Sequence, residues 1–361
     1  MKNTTLLFIL SFLLSYGVNA QLHPGKKINL EISKEIELLT VIQLMSNYPL
    51  LSKTETDLKS KTESFFTPCK QDSVIPFFLS MASKEIEGKT KFSYFSFDKP
   101  IDLVMHYSLS KKKIIKVPTK DNASYNIFVD KNDSLLTFLQ LYQDFYESSN
   151  FESYFKSNST IYQHLIDSVD KELDKADLIG TLERFYGETR QSYNIILSPL
   201  QNAGGYSVKM NDTLYAIVGA GLVKDSSPYF DIEYLKKELI LHEFSHSFCN
   251  PIVDKYIEEL NFMENSEKDF RFKMASLGYH NHKSILYEYL VRACVIRMVN
   301  TLYGNEECER LLIEEVRKGF YMMPVFNEGL KHFENNRKLY TTLEQYFPTL
   351  ISKIKQSLTK N

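Results

Sequence analysis

The segment His242-Glu243-Phe244-Ser245-His246 holds the residues whose types and spacing most directly suggest chemistry in this chain. In a helix, side chains at i and i+4 stand one above the other, so both imidazoles can reach one ion. Glu243, next to the first histidine, is rotated off that direction and can touch a water on the ion rather than the ion itself. The expected ion is Zn2+, which keeps a position for water when three protein ligands hold it and lowers that water's pKa towards about 7. Glu243 is then expected to act as general base, taking the water's proton and passing it to a leaving amine. The ion would also stabilise the oxyanion of a tetrahedral intermediate.

A third ligand must come from elsewhere. The pattern with a further histidine six residues after His246 fails, because position 252 is Ile. The stretch Ser284–Val299 is apolar apart from Glu288, Arg292 and Arg297, and Ile285, Glu288, Arg292, Val295 and Val299 share one helical face. A lone carboxylate on a buried face needs a cation or a metal. Glu288 is therefore the expected third ligand, with an i,i+4 ion pair to Arg292 as the alternative. Glu264 and Glu267 lie in a polar stretch that reads as a solvated loop, and His280 and His282 are ordinary loop residues that could also reach a site. Tyr321 could help hold an oxyanion, but among 23 tyrosines it reads first as core packing.

Positioning this constellation requires a helix with a start and a stop. Asp231 can cap one that runs through Ile232, Leu235, Leu239 and Ile240, and Asn250-Pro251 should end it. Ahead of it, Tyr193–Leu197 reads as a strand, Gly204-Gly205 as a turn, and Tyr206–Met210 with Thr213–Val218 as a hairpin closed at Asn211-Asp212. The stripes Leu135, Phe138, Leu139, Tyr142, Phe145 and Ile161, Leu165, Ile166, Val169, Leu173 are helical and carry no chemistry. An amphipathic helix is expected over about 30–48, closed by Pro49, a helical run over Ile75–Met81, and strand-like pieces around Phe92–Phe97 and Ile101–Tyr107. Residues 52–70 show no clear pattern, and the basic stretch Lys111–Lys120 reads as a loop. The fold class is α+β, mostly helical, with a small antiparallel sheet before the HExxH helix. The division is 1–20 leader, 21–189 mainly helical region and 190–361 catalytic region.

The whole-chain properties agree with a folded, globular protein. Of 361 residues, 43% are apolar and 24% charged, which is a globular rather than a disordered balance. A net charge of -2 with no long basic run argues against nucleic acid as a partner. Lys2, the apolar stretch Leu6–Leu14 and Val18-Asn19-Ala20 read as an export signal cleaved after Ala20, placing the protein in the periplasm or outside the cell without stable membrane insertion. Cys69, Cys249, Cys294 and Cys308 show no metal-binding spacing. They could pair in an exported chain, but Cys249 and Cys294 also suit small buried apolar positions.

The motif with a distant glutamate in Tyr287-Glu288-Tyr289-Leu290-Val291-Arg292-Ala293 resembles the gluzincin class of zinc metallopeptidases. More closely, HEFSHSFCNP over 242–251, with Ile196–Leu200 and Gly204-Gly205-Tyr206, is similar to a domain-of-unknown-function family of exported bacterial proteins. The resemblance implies two histidines and one glutamate on zinc, Glu243 as base, and a cleft bordered by an edge strand, here Thr213–Val218, that could pair with an extended peptide. The Gly-x-Met-Glu-Asn motif of the aminopeptidases is missing ahead of HExxH; Met263-Glu264-Asn265 follows it and lacks the Gly. The expected activity is thus a zinc peptidase acting on a peptide or protein. The alternatives are a catalytically silent binding protein on the same fold and a zinc hydrolase of non-peptide amides.

Overall fold

The structure, a computed structural model, describes residues 26–51, 54–86, 89–110, 113–118, 128–173, 176–266, 271–279 and 281–358. The leader read over 1–20 lies outside these residues, as do Glu267 and His280. The fold is α+β, mostly helical around a four-stranded sheet.

The sheet combines β1 (Ile28–Glu31), β6 (Ser192–Ser198), β7 (Gly204–Met210) and β8 (Thr213–Gly219) in the order β1-β6-β8-β7. β6 runs parallel to both β1 and β8, and only the β7–β8 hairpin is antiparallel. The sheet is therefore mixed, not antiparallel, because a distant N-terminal strand joins it and β8 returns beside β6. The hairpin turns at Asn211-Asp212 as expected, with Asn211 in the left-handed region at φ 54°. Two strand assignments change. Gly204 and Gly205 open β7 rather than forming a turn, and Thr213–Val218 lies inside the sheet, paired on both sides. Among the described residues the two edge strands are β1 and β7.

Both faces of the sheet are covered, which explains why β6 reads as a nearly continuous apolar run. Tyr193, Ile195 and Leu197 of β6, with Leu214, Ala216 and Val218 of β8, face one core; Ile196, Ile217, Val208 and Met210 face the other. The second core is built by α1 (Lys34–Met45), α2 (Asp57–Phe66), α3 (Val74–Ala82), α4 (Lys99–Met105), α5 (Asp133–Ser148) and α6 (Phe151–Ser157). It is strongly aromatic: Phe66, Phe78, Phe138, Phe145 and Phe151 are fully buried, and Phe95 meets Phe138 edge-on at 5.2 Å. A short hairpin, β2 (Ser83–Ile86) with β3 (Lys89–Phe92), and the pair β4 (Tyr107–Ser108) and β5 (Ile115–Lys116) lie at its margin.

Here, too, several expectations change. Leu30 belongs to β1, so α1 starts only at Lys34, capped by Ser33, whose side chain accepts from Ile36 N–H. From Ile36 to Met45 every residue is buried, so α1 is a core helix rather than an amphipathic one. The unpatterned 52–70 stretch contains α2, capped by Thr56. Ile101–Tyr107, expected as a strand, is largely the helix α4, whose first turn Pro100 suits because its fixed φ is already helical.

The first core contains α7 (Ser159–Leu173), α8 (Leu178–Tyr186), and the helices that follow the sheet. A small hairpin, β9 (Leu222–Lys224) with β10 (Ser227–Tyr229), leads to Asp231. Asp231 accepts from the N–H groups of Glu233 and Tyr234, and the chain passes through a helical turn and a π turn at Leu235–Leu239 into α9 (Ile240–Lys255). α9 does not stop at Pro251. Proline removes the N–H that Ser247 C=O would accept, but Ile252 and Val253 beyond it are buried in the core and carry the helix on. α10 (His282–Tyr303), capped by Asn281, packs along α9, and α11 (Asn305–Lys318) and α12 (Met323–Asn335) pack on α10. α13 (Leu343–Leu358) closes the chain against α12. Cys249 and Cys294 are fully buried between α9 and α10 as free thiols, their Sγ atoms 4.0 Å apart. Among the described residues, no helix is long and apolar enough to cross a membrane.

Candidate metal centre

α9 lies across β7 and β8 and presents different groups on its two sides. Phe244 meets Tyr193 edge-on at 5.2 Å, and Phe248 stacks on Tyr186 at 4.4 Å. Burying such side chains stabilises the docking by roughly 2–3 kcal/mol each. That contact fixes the helix rotation and turns His242 and His246 outward into a cleft of about 970 Å3 between β7, α9 and α10. The π turn just before α9 inserts an extra residue into the helical ladder, a feature that recurs near functional sites.

Glu288 on α10 points at the same spot. The His242 and His246 Nε2 atoms are 3.1 Å apart, Glu288 Oε1 is 3.4 Å from His246 Nε2, and Glu288 Oε2 is 3.6 Å from His242 Nε2. Four ligands at 2.0–2.1 Å around a tetrahedral ion stand about 3.3–3.4 Å from one another. The two imidazole nitrogens and the carboxylate oxygen facing each of them lie near that spacing, and one ligand atom from each of the three residues lies within 4.8 Å of the others. They are the cluster of potential metal ligands found among the described residues.

The other members shape the site electrostatically. His246 is pushed down to about 4, by burial first and with the neighbouring His242 adding to it, so its ring is neutral at pH 7 and free to ligate. Its Nδ1 faces Asn250 Oδ1 at 3.2 Å, which leaves Nε2 for an ion. Burial also acts on Glu288, but the Arg292 guanidinium and both imidazoles outweigh it and hold its carboxyl well below the usual range. Arg292 Nε donates to Glu288 Oε2 at 2.8 Å. The ion pair and the orientation towards the histidines, alternatives in sequence, coexist. Glu243 is buried at 5% exposure and sits under β7, where burial pushes its carboxyl up to about 7 and Glu288 adds to this against His242. A Cβ added to Gly205 would come within 2.7 Å of Glu243 Oε1, so this edge-strand position must lack a side chain for the carboxylate to lie there.

The remaining sequence candidates do not join the triad. Glu264 lies on a short helical turn, Met263–Ser266, His282 begins α10, and Tyr321 is 52% exposed in the turn before α12. Sequence reasoning missed Asn250, Tyr279, Glu315 and Gly205. Asn250 was the most accessible, being four residues beyond His246 on the ligand face.

The sequence model of the family described as Domain of unknown function (DUF4932) matches residues 28–353, and the chain belongs to that family. The match spans both cores and every residue of the triad. Comparison with curated proteins and with solved structures finds no match.

Proposed function

We propose that this member of a family without an assigned activity is an exported zinc-dependent peptidase. The observation that carries the reading is the convergence of His242, His246 and Glu288, with one ligand atom from each within 4.8 Å of the others, and a buried carboxylate, Glu243, beside them in a cleft. His242, His246 and Glu288 would hold the metal. Zinc, when bound, supplies a Lewis acid that polarises a carbonyl and lowers the pKa of water. Glu243 does the proton work: its position under β7 lets it take a proton from the attacking water and deliver it to the leaving nitrogen. A basicity near neutral suits a group that must both accept and release that proton. Strand β7 is the outermost strand on the cleft side of the sheet among the described residues, so an extended peptide can add to the sheet there.

The test is digestion of a peptide library by the mature chain loaded with zinc, alongside Glu243→Gln. The reading expects cleavage by the wild type and a loss of about 10²–10⁴-fold in Glu243→Gln with zinc retained. Equal cleavage by both would remove Glu243 from the mechanism. A zinc-loaded wild type that leaves every peptide intact would turn the search to non-peptide amides or to a binding role.

A further inference from the structure

Glu288 has two oxygens, and the structure treats them differently. Oε2 receives Arg292 Nε at 2.8 Å and the Tyr279 hydroxyl at 3.0 Å. A carboxylate oxygen has about two lone-pair directions, so these two donors occupy Oε2 although it is the oxygen nearer His242. Oε1, 3.4 Å from His246 Nε2, has neither donor.

The donors are themselves held. Arg292 Nη2 donates to the Tyr279 hydroxyl at 2.9 Å, closing a ring of contacts among Glu288, Arg292 and Tyr279. Arg292 Nη1 reaches both oxygens of Glu315, on α11, at 3.0 and 2.9 Å, and the guanidinium lies over the Phe320 ring at 4.8 Å. Glu315 is 4% exposed and also receives Lys318 at 2.7 Å. A bare guanidinium beside a dication would repel it. Paired with Glu315, Arg292 adds direction at little net charge.

Resting on the metal reading above, we propose that Tyr279 and Arg292 are positioning residues that commit Glu288 Oε2, so that the carboxylate binds the ion through Oε1 alone, with Glu315 anchoring the guanidinium. One-oxygen ligation holds the ion to three protein atoms and keeps its remaining position open to the cleft. Outer partners of this kind contribute about 10–100-fold to metal affinity.

The experiment measures zinc affinity by chelator competition on the full chain for wild type, Tyr279→Phe, Arg292→Lys and Glu315→Gln, with melting of each metal-free protein in parallel. Tyr279→Phe removes one hydroxyl and should weaken zinc about 10-fold while leaving the metal-free melting temperature nearly unchanged. Arg292→Lys keeps the charge but loses the planar fork, and should weaken zinc by roughly 10–100-fold. Zinc-edge X-ray absorption should report one carboxylate oxygen in the wild type and a second, longer one in Tyr279→Phe, where Oε2 is released. Wild-type affinity in both Tyr279→Phe and Arg292→Lys, or a two-oxygen carboxylate in the wild type, would overturn the proposal while leaving the triad intact. A wild type that takes up no zinc would overturn the triad as well. If Arg292→Lys fails to fold, Tyr279→Phe decides the question alone.

Discussion

Glu37 and Glu288 are both glutamates inside the protein, one under each face of the sheet, and they behave in opposite ways. Glu37 on α1 is 1% exposed and its carboxylate meets two hydroxyls: Ser198 Oγ donates to it at 2.9 Å and the Tyr162 hydroxyl lies at 3.5 Å. Burial pushes its carboxyl up to about 8 against those two contacts, so it is mostly protonated at neutral pH. Glu288, 6% exposed, is surrounded by Arg292 and two imidazoles and stays charged. Burial alone therefore says nothing about a carboxylate's role. The neutral one belongs to a packed polar network that ties α1 to the end of β6. The charged one faces His242 and His246 and is the carboxylate that the proposed metal site uses.

Exchanging each residue for glutamine should separate the two most sharply. Saturating zinc should raise the melting temperature of the wild type and of Glu37→Gln alike, since a ligand at 1,000 times its Kd adds about 4 kcal/mol to stability. Glu288→Gln should show almost no rise in the same thermal-shift titration. A full zinc shift in Glu288→Gln would erase the distinction.

The second effect is a pH dependence carried by Glu37. Below about pH 4.5 its carboxyl is protonated both folded and unfolded, and it costs nothing. As pH rises towards 8 the unfolded chain releases the proton while the folded chain keeps it, so stability falls, and the loss is complete above about 8. The shift corresponds to roughly 3–5 kcal/mol. Denaturant unfolding between pH 5 and 8 should therefore show a slope that Glu37→Gln flattens, and an unchanged slope would contradict the assignment.

Two smaller effects probe the centre itself. In Gly205→Ala the new methyl meets the Glu243 carboxylate. It should lower peptide cleavage roughly 10- to 100-fold by displacing the base, with zinc affinity unchanged. Asn250→Ala frees the ring of His246 and should weaken zinc about 10-fold, as read by chelator competition.

Much of this cluster is legible in the sequence. His242, Glu243 and His246 are local, so one helix suffices to bring them together. Glu288 could be found because a carboxylate stands out on a helix face whose other residues, Arg292 apart, are apolar. What failed was long-range. The register that places β8 inside the sheet and β7 at its edge depends on pairing β6 with β1, far away in sequence, and no local pattern encodes it. Pro251 marks a helix end by local preference, but the packing of Ile252 and Val253 overrides it. α1 shows helical spacing, yet its Glu37, Thr40 and Gln43 are buried because Ser198, at the end of β6, and Gln201, just after it, meet them. Tyr279 and Glu315 come from two further segments, and only the folded arrangement brings them to Arg292.

The central claim is that His242, His246 and Glu288 form one metal site, and counting metal tests it most directly. Elemental analysis of the purified chain, stripped and then reloaded with zinc, should give one zinc per chain for the wild type and close to none for His246→Ala and Glu288→Ala. A wild type that retains no zinc, or a Glu288→Ala variant that retains a full equivalent, would contradict the account.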